Sequence, residues 1–307
     1  MKATIRDLLT RLIDYAGLFP PAELDLRSAV RNYDSYRKGK DSRWLGRFIV
    51  PAARLAEFED AAEGILPDGG WEGDDFWRLS ALIGADLSAD LSRIADFNLK
   101  HATLDSKVGV AIIDAVELKA TTASEIERAK KLLPEKTEAY FEIPIHEDSK
   151  ELAELIQAIG AVEAFAKVRT GGVVAEAFPS SKDLARFLAV CAEEDVAFKA
   201  TAGLHHPLRS VNRLTYKADS ASAWMHGFLN VFLAAAFAQN GMGAAQLAEL
   251  LEETSLDAFR FEEDSVFWRE EMLVVAHVRN TRNLFALSFG SCSFTEPVED
   301  LQNLHLL

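Results

Sequence analysis

The chain has 307 residues, 49% of them apolar and 26% charged, with 48 acidic residues against 33 basic ones and a formal net charge of −15. Such a composition belongs to a folded protein with a substantial core and excludes a disordered or low-complexity chain. An acidic surface repels polyanions, so nucleic acid is not expected as a partner.

The longest apolar stretch, residues 228–238, is about half of what a bilayer crossing requires, so no membrane partner is expected either. Cys191 and Cys292 stand alone, outside any CxxC or CxxH pattern, and the first residues lack the apolar run of a signal peptide. Both features suit a cytoplasmic location.

In chain order, a helix is expected at residues 5–12, and the paired prolines of LIDYAGLFPP then stop regular structure. Helices at 25–37, 54–65, 90–98, 123–133, 149–159 and 181–194 alternate with runs at 47–52, 77–85, 108–116, 139–145, 164–170 and 196–204. Most of these runs are continuously apolar, as strands covered on both faces are. Strand, helix and strand repeated this often imply a parallel sheet with right-handed crossovers. A first strand at 12–16 and a last one at 284–290 bring the count to eight, which favours a closed (β/α)₈ TIM barrel. An open flavodoxin-like or Rossmann sheet is the alternative, weakened by the lack of a GxGxxG motif. Residues 1–307 read as one barrel domain. Residues 206–283 read as a helical insertion before the last strand, with helices at 222–239, 244–253 and 266–279. The apolar helix at 222–239 either packs on the barrel or makes a homodimer contact.

Side chains at the C-terminal ends of barrel strands converge on one mouth. The polar residues there are Asp14, Asp114, Glu117, Glu142, His146, Lys167, Arg169, Thr170, Lys199 and Thr201. Lysines within apolar strands are unusual, because burying an ammonium group is costly unless it is paired or neutral. Two amines close together disfavour each other's protonation, so one can attack a carbonyl and form a Schiff base. Lys167, flanked by Arg169, is the expected nucleophile, with Lys199 tuning it and Asp114 serving as acid, base or orienting group. The competing structural reading pairs both lysines with rim carboxylates such as Glu142 and Asp114.

Gly171, Gly172, Gly203 and Gly290 each follow a strand, with Ser291 and Ser293 after the last. These positions fit backbone N–H groups cradling an anion, or plain turn chemistry. His205, at a strand end, fits substrate binding or an acid/base role. No HxH or HExxH is present, so neither a metal nor any other cofactor is expected.

Several segments resemble the deoxyribose-phosphate aldolase family of class I aldolases. LIDYAGLFPPAELDL resembles its opening LIDHTLLKPxAT, and RFIVPAARL its VCVxPxxV strand. IIDAVEL resembles EIDxV, KVRTGG resembles KTSTGx, FKATAGL resembles FKxxGGV, and FGSCS resembles FGxSS. The resemblance implies a barrel, a Schiff-base Lys167, proton relay through Lys199, a catalytic Asp114 and a phosphate held by the last-strand loop. Asp14, Glu142, Arg169 and Thr170 join the glycines, serines and His205 as expected substrate contacts. Ala202, Cys292 and Tyr15 depart from the family pattern, mostly at its phosphate site, so the resemblance implies a lyase for a small aldehyde or ketone whose phosphorylation is open. Two other readings keep the fold. One uses the lysines as clamps for a phosphate or carboxylate in a transferase or isomerase, and the other is a non-catalytic binding protein.

Overall fold

The computed structural model describes residues 1–67, 76–102, 108–146 and 149–307. In its first half, α1 (Ala3–Leu9), β1 (Ile13–Tyr15), α2 (Leu26–Lys38), β2 (Leu45–Pro51), α3 (Leu55–Ala62), β3 (Trp77–Leu82) and α4 (Leu87–His101) alternate. The alternation continues with β4 (Ala111–Lys119), α5 (Ala123–Leu132), β5 (Glu138–Glu142), α6 (Ser149–Ala161), β6 (Phe165–Arg169), α7 (Ser181–Glu193) and β7 (Phe198–Thr201). Next come the strands β8 (Ser210–Arg213) and β9 (Ser222–Met225), then helices α8 (Phe228–Gln239) and α9 (Ala244–Leu251). The chain ends with β10 (Phe259–Phe261), β11 (Ser265–Trp268), β12 (Glu271–Val274), α10 (Val275–Leu284), β13 (Ala286–Ser291) and α11 (Thr295–Asn303).

Eight parallel strands close in the order β1-β13-β7-β6-β5-β4-β3-β2, and β1 also pairs with β2. The fold is a (β/α)₈ TIM barrel. Helix starts follow local chemistry. Asp25, Asp86, Thr122 and Ser180 each accept an N–H bond from the residue three positions on, satisfying donors that the helix itself leaves open.

The segment between β7 and β13 is less helical than its sequence suggests. Residues 222–225 form β9, paired with β8, and the helix begins only at Phe228. Gly227 separates the two, at a point where a Cβ would collide with the main chain of Pro207 and Leu208. Residues 265–274 form the hairpin β11–β12 beside β10 instead of a helix. Their apolar residues come as two runs of three, 266–268 and 272–274, joined by the polar turn 269–271, and Arg269 takes the left-handed turn position at φ 52°. Helix α8 is apolar on every side because it is interior: every residue from Phe228 to Ala238 is buried, against α7, α9, α10 and β13. It therefore offers no free face for the homodimer contact its sequence suggested. Asn230 ties α8 in place, donating to the carbonyls of Leu250 and Glu253 and accepting from Arg209 N–H. Among the described residues no helix is long and apolar enough to cross a membrane.

His226, just before α8, is buried and bonds Pro179 O through Nε2 at 2.9 Å, while its Nδ1 has no partner among the described residues. Burial pulls its pKa down from 6.5 to about 4. The unfolded chain therefore binds a proton that the native chain refuses, and stability falls as pH drops from 6.5 to about 4. The loss should reach about 3 kcal/mol. Urea unfolding at fixed pH values should show this slope, and His226→Gln should flatten it. An unchanged slope in the variant would contradict the assignment.

Candidate active site

The barrel interior carries a chain of charged groups. Lys167 on β6 lies in register with Lys199 on β7 and with Glu142 on β5, so all three project from one face of the sheet. Glu117 on β4 lies between the two amines. Its Oε2 is 2.8 Å from Lys167 Nζ and its Oε1 accepts a 2.7 Å bond from Lys199 Nζ. Lys199 also donates to Asp14 Oδ2 at 2.6 Å and sits 5.3 Å from the centre of the Tyr140 ring. Ser80 Oγ donates to Glu117 Oε1, and Ser288 Oγ donates to Asp14 Oδ2. Lys167 completes the row with a 2.8 Å ion pair to Glu142, whose other oxygen accepts from Arg169 at 3.0 Å.

The two lysines differ in how firmly they are held. Lys199 is 1% exposed and makes two aligned hydrogen bonds. Lys167 is 4% exposed, and its ion pairs lack that alignment, which leaves Glu117 Oε2 without a hydrogen-bond partner among the described residues. Burial alone would drive Glu117 towards its neutral form, but Lys167 and Lys199 outweigh it and hold the carboxyl well below its ordinary range. Burial alone would also lower the pKa of Lys199, yet Asp14 and Glu117 leave it raised. Glu142 is lowered, with Lys167 and then Arg169 overcoming its burial. The expected mutual repulsion of two amines is thus absent. A carboxylate separates them and favours the charged form of Lys199.

Above this row, at the C-terminal mouth, lies a cavity of about 230 Å³. Glu117, Lys167, Arg169, Thr201 and His205 supply its polar groups, and Phe19, Ile49, Leu82 and Val173 its apolar walls. Lys167 borders this space and Lys199 does not.

Asp114 does not join the lysines. Its carboxylate pairs with Arg47 Nε at 2.7 Å and with Arg78, towards the N-terminal end of the barrel. The cause is a bulge in β4. Leu79 pairs with Ile113 and Ser80 with Ala115, so Asp114 is the extra residue. Three residues apart in a regular strand, Asp114 and Glu117 would face opposite sides; the bulge turns both inward. Glu117 thus stands where Asp114 was expected. It was visible in the sequence as a polar strand-end residue, but the resemblance pointed to its neighbour.

Other expected contacts are already engaged. Asp14 lies beneath Lys199, away from the mouth cavity. Thr170 Oγ1 donates to Ala202 O at 2.6 Å and is fully buried. Gly171 and Gly203 mark the meeting of two loops: a Cβ on either would lie 2.8 Å from the other's Cα, and both would strike Phe178. Ser293 Oγ accepts from Glu296 N–H, and Ser291 Oγ accepts from Ser293 N–H. Gly172, Gly290, Arg169 and His205 do line the cavity, and His205 Nδ1 lies 2.9 Å from Glu296 Oε2. Cys292 also lines it, with its thiol pushed up to about 11 by burial. Among the described residues no group of three or more His, Cys, Asp or Glu could hold a metal ion.

No family model matches this sequence, and comparison with curated proteins gives no match. Among solved structures the chain is similar to the tetrameric deoxyribose phosphate aldolase from Aeropyrum pernix, at 14% identity and a TM-score of 0.48, over 98% of this chain and 93% of that one.

Proposed function

We propose that this chain is a carbon–carbon lyase of the Schiff-base kind, with Lys167 as the nucleophile and a small, uncharged aldehyde or ketone as substrate. One observation carries the reading: Lys167 lines the mouth cavity while its Nζ lies 2.8 Å from Glu117, whose other oxygen is bonded to Lys199. Condensation of an ammonium group with a carbonyl yields a protonated imine and water, so the positive charge beside Glu117 and Glu142 is conserved. Only the attack itself needs a neutral amine. Glu117 is placed to take that proton and return it to the departing oxygen, and Lys199 keeps the carboxylate anchored throughout. The protonated imine then accepts the electron pair of the adjacent carbon–carbon bond as it breaks, while the β-hydroxyl gives its proton to a carboxylate such as Glu117 and becomes the second carbonyl. The enamine left on Lys167 takes that proton at carbon, and water hydrolyses the imine to free product and amine.

The basic side chains at the mouth are matched by acids, Arg169 by Glu142 and His205 by Glu296. An anionic substrate would have to displace those carboxylates, which favours an uncharged one. The Schiff-base reading predicts that the protein exchanges the α-hydrogens of small aldehydes or ketones for deuterium in heavy water, as followed by proton NMR. A panel showing no exchange above a protein-free control counts against it.

The two carboxylates around Lys167 also favour a second reading, in which the lysine is a fixed cation that clamps a substrate and never loses its proton. The two readings part at Lys167→Arg.

A further inference from the structure

The opposite, N-terminal end of the barrel holds a larger cavity of about 640 Å³. That volume falls within the range of small-molecule sites, roughly 300–1,000 Å³. Seven arginines and lysines line it against two carboxylates, Asp14 and Glu138, in a chain whose net charge is −15. Most of the available acid is committed elsewhere. Asp14 is taken by Lys199, Ser288 and the N–H of Arg47. Glu138 and the neighbouring Asp114 pair with Arg47 and Arg78.

Lys40, Arg43 and Arg282 are left with no ion pair among the described residues. Arg43 lies over the Trp44 ring, 5.3 Å from its centre, and Lys40 is at the rim. Arg282 is the more telling of the three. It is 5% exposed, and its guanidinium donates to the carbonyls of Leu8, Thr10 and Ala286 and to no carboxylate. Burial pulls its pKa down to about 9. Arg282 is thus a buried cation held by main-chain dipoles beside an open cavity, with only Asp14, already bonded to Lys199, as a counter-charge it does not touch, and burying charge without a direct partner is costly. Barrel enzymes usually keep this face for stability, so a cationic cavity here needs its own explanation.

We infer that this cavity binds a small, multiply charged anion, a molecule bearing two or more phosphate or carboxylate groups, between Arg282 and the rim formed by Lys40 and Arg43. The site is separate from the Lys167 mouth and independent of the chemistry proposed there.

Calorimetric titration of the full chain at low ionic strength with inorganic pyrophosphate and with citrate tests this. Saturable binding of at least one probe is expected, weakened roughly tenfold in Lys40→Ala/Arg43→Ala and retained in Lys167→Ala. Rising salt should weaken it further. The tighter probe identifies the group, phosphate or carboxylate. No binding of either probe at millimolar concentration overturns the inference. So does equal binding in wild type and the rim variant, or loss of binding in Lys167→Ala, which would put the anion at the other mouth.

Discussion

Glu117→Gln is expected to lower unfolding free energy by about 3–5 kcal/mol, the cost of removing one partner from a buried ion pair. The effect is large because the carboxylate serves two ammonium groups at once, and all three side chains are at most 5% exposed. Glutamine has nearly the same shape, so the loss isolates charge from packing. The pH dependence carries the sign. Glu117 has a lowered pKa, so its contribution is present above the ordinary carboxylate range and is lost on acidification. Lys199 has a raised pKa, so its contribution is present below the ordinary lysine range and is lost as pH rises beyond it. Wild-type stability should therefore hold a plateau through neutral pH that is lowered in Glu117→Gln, as measured by urea unfolding. Near wild-type stability in the variant would show that the bridging carboxylate is not the linchpin of this core.

Lys167→Arg should abolish the chemistry while sparing the fold. Arginine keeps a positive charge for Glu117 and Glu142, so thermal unfolding should show a cooperative transition. A guanidinium cannot condense with a carbonyl, however, and α-hydrogen exchange or bond cleavage should fall roughly 10⁴-fold or more. A clamp tolerates any cation of similar reach and would retain part of the activity. Partial activity in Lys167→Arg would therefore favour the fixed-cation reading.

The barrel was readable because strands covered on both faces are apolar throughout and recur between amphipathic helices. The two lysines were readable for the complementary reason, as charges set inside such strands. Misreadings arose where periodicity was short or broken. Ser222–Met225 is a four-residue strand running into an apolar helix, and no local signal marks the change except Gly227. Ser265–Val274 pairs as a hairpin, but its two short apolar runs around Arg269–Glu271 carry no alternation and its length also fits a helix of roughly two to three turns. Glu117 was visible as a strand-end carboxylate, but its place between the lysines was hidden by the bulge at Asp114, a one-residue insertion that only pairing with β3 reveals. The N-terminal cavity was illegible because its cations come from segments far apart in the chain, from Arg11 to Arg282. Gly171 and Gly203 stood out in the sequence, but the structure accounts for both by the meeting of two loops.

Lys167 should condense covalently with a carbonyl compound. Incubating the protein with a panel of small aldehydes and ketones, reducing with borohydride and mapping the peptides by mass spectrometry tests it directly. A reduced adduct is expected on the peptide carrying Lys167, none on Lys199, and none in Lys167→Arg. Adducts confined to exposed lysines, or an unmodified Lys167 across the whole panel, would contradict it.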